Sequence, residues 1–150
     1  MESSDKFDDF MKALGVGMIK RKLANSVVPI NEVRKFILLS LKMFLQERQK
    51  NSFFQVEISE DGLYVIRTLT TVRNTEISFR LNEMFLEDVI DGRRTETTPT
   101  RSGNLLTLDQ KGQRGEKDTV MTREVDGDVM TMKLIVGDVT CTRIYRRINE

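Results

Sequence analysis

Val139-Thr140-Cys141-Thr142-Arg143-Ile144-Tyr145 decides how this 150-residue chain is read. As a strand it sends alternate side chains to opposite faces. Val139, Cys141, Arg143 and Tyr145 then share one face, and Thr140, Thr142 and Ile144 the other. The first face mixes apolar groups with a guanidinium and a phenol. Thr119-Val120-Met121-Thr122-Arg123-Glu124-Val125 repeats the pattern, with Arg123 in line with Thr119, Met121 and Val125. Two readings are open. In one, the arginines lie on a solvent face and bond cross-strand glutamates. In the other, both point into an apolar interior, where charge is tolerated only when paired and hydrogen-bonded. No acidic residue shares either stripe, so the partner would be a bound carboxylate.

Working outward, the chain from Phe53 onward is a string of short β-rich runs, near 53–59, 63–70, 74–81, 83–90, 93–100, 104–110, 117–125, 128–136 and 139–146. Asp61-Gly62, Asp91-Gly92, Gly103-Asn104, Asp126-Gly127 and Gly137-Asp138 are among the breakers between them. Such pairs suit tight hairpins, whose central residues need positive φ. Connections this short force antiparallel neighbours. Regular spacing suggests an up-and-down barrel or a sandwich, and the unbroken meander favours a closed barrel able to hold one small ligand.

The amino-terminal third differs. Asp5 to Leu14 reads as an amphipathic helix with Phe7, Phe10, Met11 and Leu14 on one face, Ser4 as its cap and Gly15 ending it. Gly17 to about Asn25 reads as a second helix carrying the basic cluster Lys20, Arg21 and Lys22. That cluster is either a solvated face, a contact for anionic lipid or a conditional nuclear-import surface. Residues 31–55 are ambiguous. Val33, Phe36, Ile37, Leu41, Phe44 and Leu45 form a helical stripe, and propensity favours the helix. Leu39, Leu41, Met43 and Leu45 also alternate as a strand would, before the turn-like Arg48–Ser52.

Composition sets the class. With 39% hydrophobic and 31% charged residues, the chain is expected to be one soluble globular domain over 1–150. A net charge of +1 gives no general reason to expect nucleic acid as a partner. Met18–Lys50 nonetheless holds eight Lys/Arg against two Glu, a local +6 that leaves about −5 for the remainder. One cysteine excludes an internal disulfide and suits a reducing, cytoplasmic compartment. Residues 1–5 do not resemble a signal peptide, and the apolar run 36–45 is short for a membrane span. There is no histidine, no nucleophile elbow, no phosphate-binding glycine loop and no metal-ligand spacing. An enzyme, a metal and a cofactor are therefore not expected. Cys141 on the proposed inner face reads first as a small buried hydrophobe.

Phe7-Asp8-Asp9-Phe10-Met11, Leu14-Gly15-Val16-Gly17 and Arg21-Lys22-Leu23-Ala24-Asn25 resemble the helix-turn-helix lid of the intracellular lipid-binding proteins, which include the fatty-acid-binding and cellular retinoic-acid-binding proteins. The run from Ile66 to Phe79, Asp91-Gly92-Arg93, Thr122-Arg123-Glu124 and Cys141-Thr142-Arg143-Ile144-Tyr145 continue the resemblance in order. It implies an all-β protein: a ten-stranded, lipocalin-like (calycin) up-and-down barrel of the fatty-acid-binding type, capped by two helices and closed around one lipid. It also implies that Arg123, Arg143 and Tyr145 receive a ligand carboxylate. Met121, Val139 and Cys141 would line the cavity, with Val72 and Arg73 at the portal. Retinol carriers generally have glutamine at the arginine positions, so a carboxylate, retinoic acid or a long-chain fatty acid, is the expected ligand.

Two departures accompany the resemblance. The family's opening strand, of Phe-x-Gly-x-Trp/Tyr type, is missing before Phe7, and roughly twenty residues are inserted after the second helix. Either residues 36–45 pair with strand 53–59 and fill the vacated slot, covering an exposed edge, or they form a third helix outside the barrel. The function implied is a monomeric cytoplasmic carrier, with entry to the nucleus and transient contact with anionic membranes as further expectations. The alternative is a variant with an incomplete barrel that binds membranes or partner helices.

Overall fold

The computed structural model describes residues 3–18, 21, 43–46, 53–69, 74–89 and 91–148. It begins with a short strand, β1 (Ser3–Asp5), and a helix, α1 (Phe7–Ala13). Ten further strands follow: β2 (Met43–Gln46), β3 (Phe53–Ile58), β4 (Tyr64–Leu69), β5 (Thr75–Phe79), β6 (Phe85–Asp88), β7 (Arg94–Ser102), β8 (Leu105–Gly112), β9 (Thr119–Asp126), β10 (Val129–Val136) and β11 (Val139–Arg147). The nine strands expected after Phe53 are all present, with ends shifted by three residues or fewer.

Every strand pair is antiparallel, in the order β5-β4-β3-β2-β11-β10-β9-β8-β7-β6, with β1 also on β11. The carboxy-terminal meander follows from its turns. Gly103-Asn104, Gly127-Asp128 and Gly137-Asp138 form the hairpin tips, and each glycine takes a positive φ between 52° and 58°. That conformation is costly for a residue with a Cβ. β10 shows the pleat plainly: Met130, Met132, Leu134 and Val136 are buried while Lys133 is exposed. With Leu108, Cys141, Tyr145, Phe54, Ile66 and Phe79 they form one core, onto which Phe10 and Met11 of α1 dock.

Three expectations for the amino-terminal third are corrected. The opening strand is shortened rather than missing: Ser3, Ser4 and Asp5 lie opposite Ile144, Arg143 and Thr142. Pairing uses backbone groups and needs no apolar alternation, so these polar residues carry no side-chain pattern that reveals it. Ser4 consequently does not cap α1. Lys6 occupies that position with φ 59° and makes no side-chain cap, and Asp8 and Asp9 supply the acidic first turn. Residues 43–46, whose propensity favours a helix, are extended: Met43–Gln46 pairs with Val56–Phe53, and Gln46 and Leu45 with Arg146 and Arg147. Tertiary pairing on both edges outweighs intrinsic preference. This places β2 in the slot between β3 and β11, as the replacement-strand alternative requires for these four residues. The rest of 31–52 lies outside the described residues. Of the second helix, Met18 and Arg21 are helical, and the Arg21 N–H donates to the Gly17 carbonyl at 3.1 Å.

Closure also differs from a fully hydrogen-bonded barrel. Among the described residues the ladder ends at β5 on one side and β6 on the other. Side chains bridge this seam. Phe79 of β5 stacks on Phe85 of β6 with ring centroids 5.4 Å apart, and Tyr64 of β4 stacks on the other side of Phe79 at 5.4 Å. The Arg101 guanidinium of β7 donates to the Tyr64 hydroxyl at 3.0 Å.

Candidate anion-binding site

Register brings the candidate residues together. Met132 of β10 lies opposite Arg123 of β9 on one side and Arg143 of β11 on the other. The arginines are thus two strand spacings apart, roughly 10 Å between backbones, within reach of one small group by two long side chains. The next row toward Tyr145 is Val125, Met130, Tyr145, and the opposite row is Met121, Leu134, Cys141. All three rows share the pleat face that carries the core, so the interior reading of the stripe holds and the solvent-face reading does not.

Arg123 is the extreme case. It is 7% exposed, and its Nε and Nη1 find no hydrogen-bond partner among the described residues. Its guanidinium carbon lies 5.9 Å from the Phe54 ring centroid, near the outer limit of a cation–π contact. Burial pushes its pKa below the ordinary arginine range, while the Glu87 carboxylate and the Tyr145 phenol act the other way. Arg143 is half-buried, its guanidinium 4.0 Å from the Phe7 ring centroid, which ties the site to α1. Tyr145 is fully buried and meets Phe54 edge-on at 4.9 Å. Cys141 is buried, in keeping with a packing role; Met121 and Val139 are half-buried against the core.

Glu87 is the residue that the stripe argument missed. It is 8% exposed, and its Oε2 accepts hydrogen bonds from Thr97 Oγ1 at 3.0 Å and Gln110 Nε2 at 2.8 Å. The network continues outward. Thr119 Oγ1 donates to Gln110 Oε1 at 2.8 Å, Arg93 donates to Thr119 Oγ1 at 3.2 Å, and Arg93 pairs with Asp91 at 2.8 Å. Asp91 and Arg93 in turn line a pocket of about 510 Å³ whose other wall is Leu14–Met18 at the end of α1. The alternation of Phe85, Glu87 and Val89 is the signal that points to an inward acid, in the same way as Arg123 among Met121 and Val125.

The remaining candidates divide. Arg21 is engaged locally: Nε donates to Asp8 Oδ1 at 3.0 Å and Nη1 to the Val16 carbonyl at 2.6 Å. Lys20, Lys22, Val72 and Arg73 lie outside the described residues. Among the described residues there is no cluster suited to a metal ion, and no helix is long and apolar enough to cross a membrane.

Residues 1–148 match the model of the lipocalin / cytosolic fatty-acid binding protein family. The chain is 39% identical over 149 residues to sodium/calcium exchanger regulatory protein 1 of Doryteuthis pealeii, covering 99% of this chain and 92% of that protein. It is 37% identical over 150 residues to cellular retinoic acid-binding protein 1 of Takifugu rubripes, covering 98% and 93%. Among solved structures, the REP1-NXSQ fatty acid transporter superposes with a TM-score of 0.76 at 37% identity, over 99% of this chain and 92% of that one. An antiparallel β-meander with a docked helix, arginines and a tyrosine on adjacent rows of its core face and a match over nearly the whole length lead to one conclusion: the chain belongs to the lipocalin / cytosolic fatty-acid binding protein family.

Proposed function

We propose that this protein is a non-enzymatic carrier for one hydrophobic carboxylate, retinoic acid or a long-chain fatty acid, which it solubilises and moves through the cytoplasm as a monomer. The observation that carries the reading is Arg123, a buried guanidinium whose Nε and Nη1 have no hydrogen-bond partner among the described residues, in the same cross-strand row as Arg143. A carboxylate would accept charge-assisted hydrogen bonds from Arg123, Arg143 and Tyr145, directly or through water. Met121, Val139 and Cys141 would contribute to the apolar wall, at about 25 cal/mol per Å² of ligand surface removed from water. The relatives named for fatty acid and retinoic acid support both ligand types.

The test is direct. Arg123→Gln with Arg143→Gln is expected to weaken long-chain acids by at least tenfold more than matching alcohols, since each charge-assisted bond contributes about 1.5–3 kcal/mol. Equal losses for acid and alcohol would remove the assigned role.

A second reading is favoured by the name of the Doryteuthis pealeii relative, a regulatory protein of a sodium/calcium exchanger. In it the protein acts on a membrane-bound partner. Flotation with phosphatidylserine vesicles, abolished by salt and independent of added lipid ligand, would favour this reading over the carrier.

A further inference from the structure

Phe7 is where α1 meets the candidate anion site. β1 runs antiparallel to β11 with Ser4 opposite Arg143, and Lys6, at φ 59°, turns the chain so that α1 begins directly after it. The Phe10 N–H donates to the Lys6 carbonyl at 2.9 Å and opens the helical ladder. Phe7 is thus delivered beside β11, and its ring centroid lies 4.0 Å from the Arg143 guanidinium carbon. That is well inside the roughly 6 Å over which a cation and an aromatic face attract, whereas Arg123 and Phe54, at 5.9 Å, stand at its limit. One turn on, Phe10 and Met11 are buried in the core. The helix is fixed on the core by these two residues and joined to an arginine of the site by its first.

We propose that Phe7 is a positioning residue of the anion site: its ring holds the Arg143 guanidinium in place for a ligand carboxylate, and through that contact a bound carboxylate steadies α1. The inference rests on the carboxylate-carrier reading above. Arginine has a long side chain, and ordering it on a ligand costs free energy. A cation–π contact orders the guanidinium before the ligand arrives and uses none of its N–H donors. An aliphatic side chain in place of Phe7 would keep most of the packing and lose the aromatic face. The coupling runs both ways, since two contacts that favour one arrangement stabilise each other by the same amount. A carboxylate that favours this position of Arg143 favours Phe7 against it, and with Phe7 the docked helix. An alcohol draws less on the guanidinium and couples less strongly to α1.

Calorimetric titration of the full chain with dodecanoic acid and dodecanol, together with amide hydrogen exchange in α1, tests this. Phe7→Leu is expected to lower the acid-to-alcohol affinity ratio about fivefold, and Phe7→Tyr, which keeps an aromatic face, to hold it within about twofold of wild type. A merely structural disturbance moves both ligands together and leaves the ratio alone. In wild type, dodecanoic acid is expected to slow exchange of the Phe10 and Leu14 amides, which donate to Lys6 and Phe10, more than dodecanol does at equal saturation. That comparison holds even should a variant fold poorly. A wild-type protein that prefers the acid, with the ratio unchanged in Phe7→Leu, equally lowered in Phe7→Tyr, or the α1 amides slowed alike by both ligands, overturns the positioning role alone. A wild-type protein with no preference for the acid overturns the carboxylate reading and this inference with it.

Discussion

Arg123→Met is the sharpest perturbation of this structure, because it should stabilise the empty protein while removing the feature proposed to bind ligand. The guanidinium is 7% exposed, and two of its nitrogens have no hydrogen-bond partner among the described residues. Leaving buried donors on a charged group unmade costs about 1–3 kcal/mol. Two terms offset this: the Phe54 face at 5.9 Å, near the limit of range and contributing about 0.5 kcal/mol, and attraction to Glu87. Methionine has similar length, no donors and enough flexibility to pack beside Phe54 and the cross-strand neighbour Leu106. The net expectation is a gain of about 1–2 kcal/mol, or about 2–8 °C in Tm for a chain of this size. Urea unfolding of delipidated protein measures it. The same samples with a fatty acid at 100-fold its Kd should reverse the order, since wild type then gains about 2.7 kcal/mol and the variant little. Destabilisation of the empty variant by 1 kcal/mol or more would show that Arg123 is satisfied in the ligand-free state, and the anion argument would fail with it.

Phe79→Ala should cost about 3–5 kcal/mol, because Phe79 is 3% exposed and stacks between Tyr64 and Phe85 across the seam where β5 and β6 do not pair; guanidinium unfolding that shows less than 1 kcal/mol would mean the stack does not hold the seam. Asp61 is held at about 2 by a hydrogen bond from the Ser59 hydroxyl and by Arg80. Its folded pKa lies below the unfolded value, so its contribution is complete above about pH 4 and is lost as pH falls toward 2. Asp61→Asn should accordingly flatten the decline in thermal stability between pH 4 and 2, and an unchanged slope would count against the pairing.

The candidate site was legible in sequence to the extent that it depends on alternation. Arg123, Arg143 and Tyr145 fall on apolar stripes, and the hairpins joining β9, β10 and β11 have tips too short to permit anything but antiparallel neighbours. Glu87 obeys the same alternation between Phe85 and Val89, yet its hydrogen bonds depend on Thr97 and Gln110, which only the pairing of β6, β7 and β8 brings to it. The basic cluster shows the converse. Its charge is visible in the sequence, but the Asp8 contact that occupies Arg21 is a matter of how two helical segments meet.

Sequence alone therefore determined the β-meander, which is written in local periodicity and turn chemistry; its ordered motifs carried the family resemblance, and its apolar stripes singled out Arg123 and Arg143 without deciding which way they face. Tertiary structure alone decided the wall. Ser3–Asp5 and Met43–Gln46 share one edge of a strand that begins nearly a hundred residues after the second of them. Their extended state comes from hydrogen bonds to distant backbone rather than from anything in their own side chains. The surroundings of Glu87 were likewise settled in space, since its hydrogen bonds join β6 to β7 and β8 and belong to no single stretch of chain.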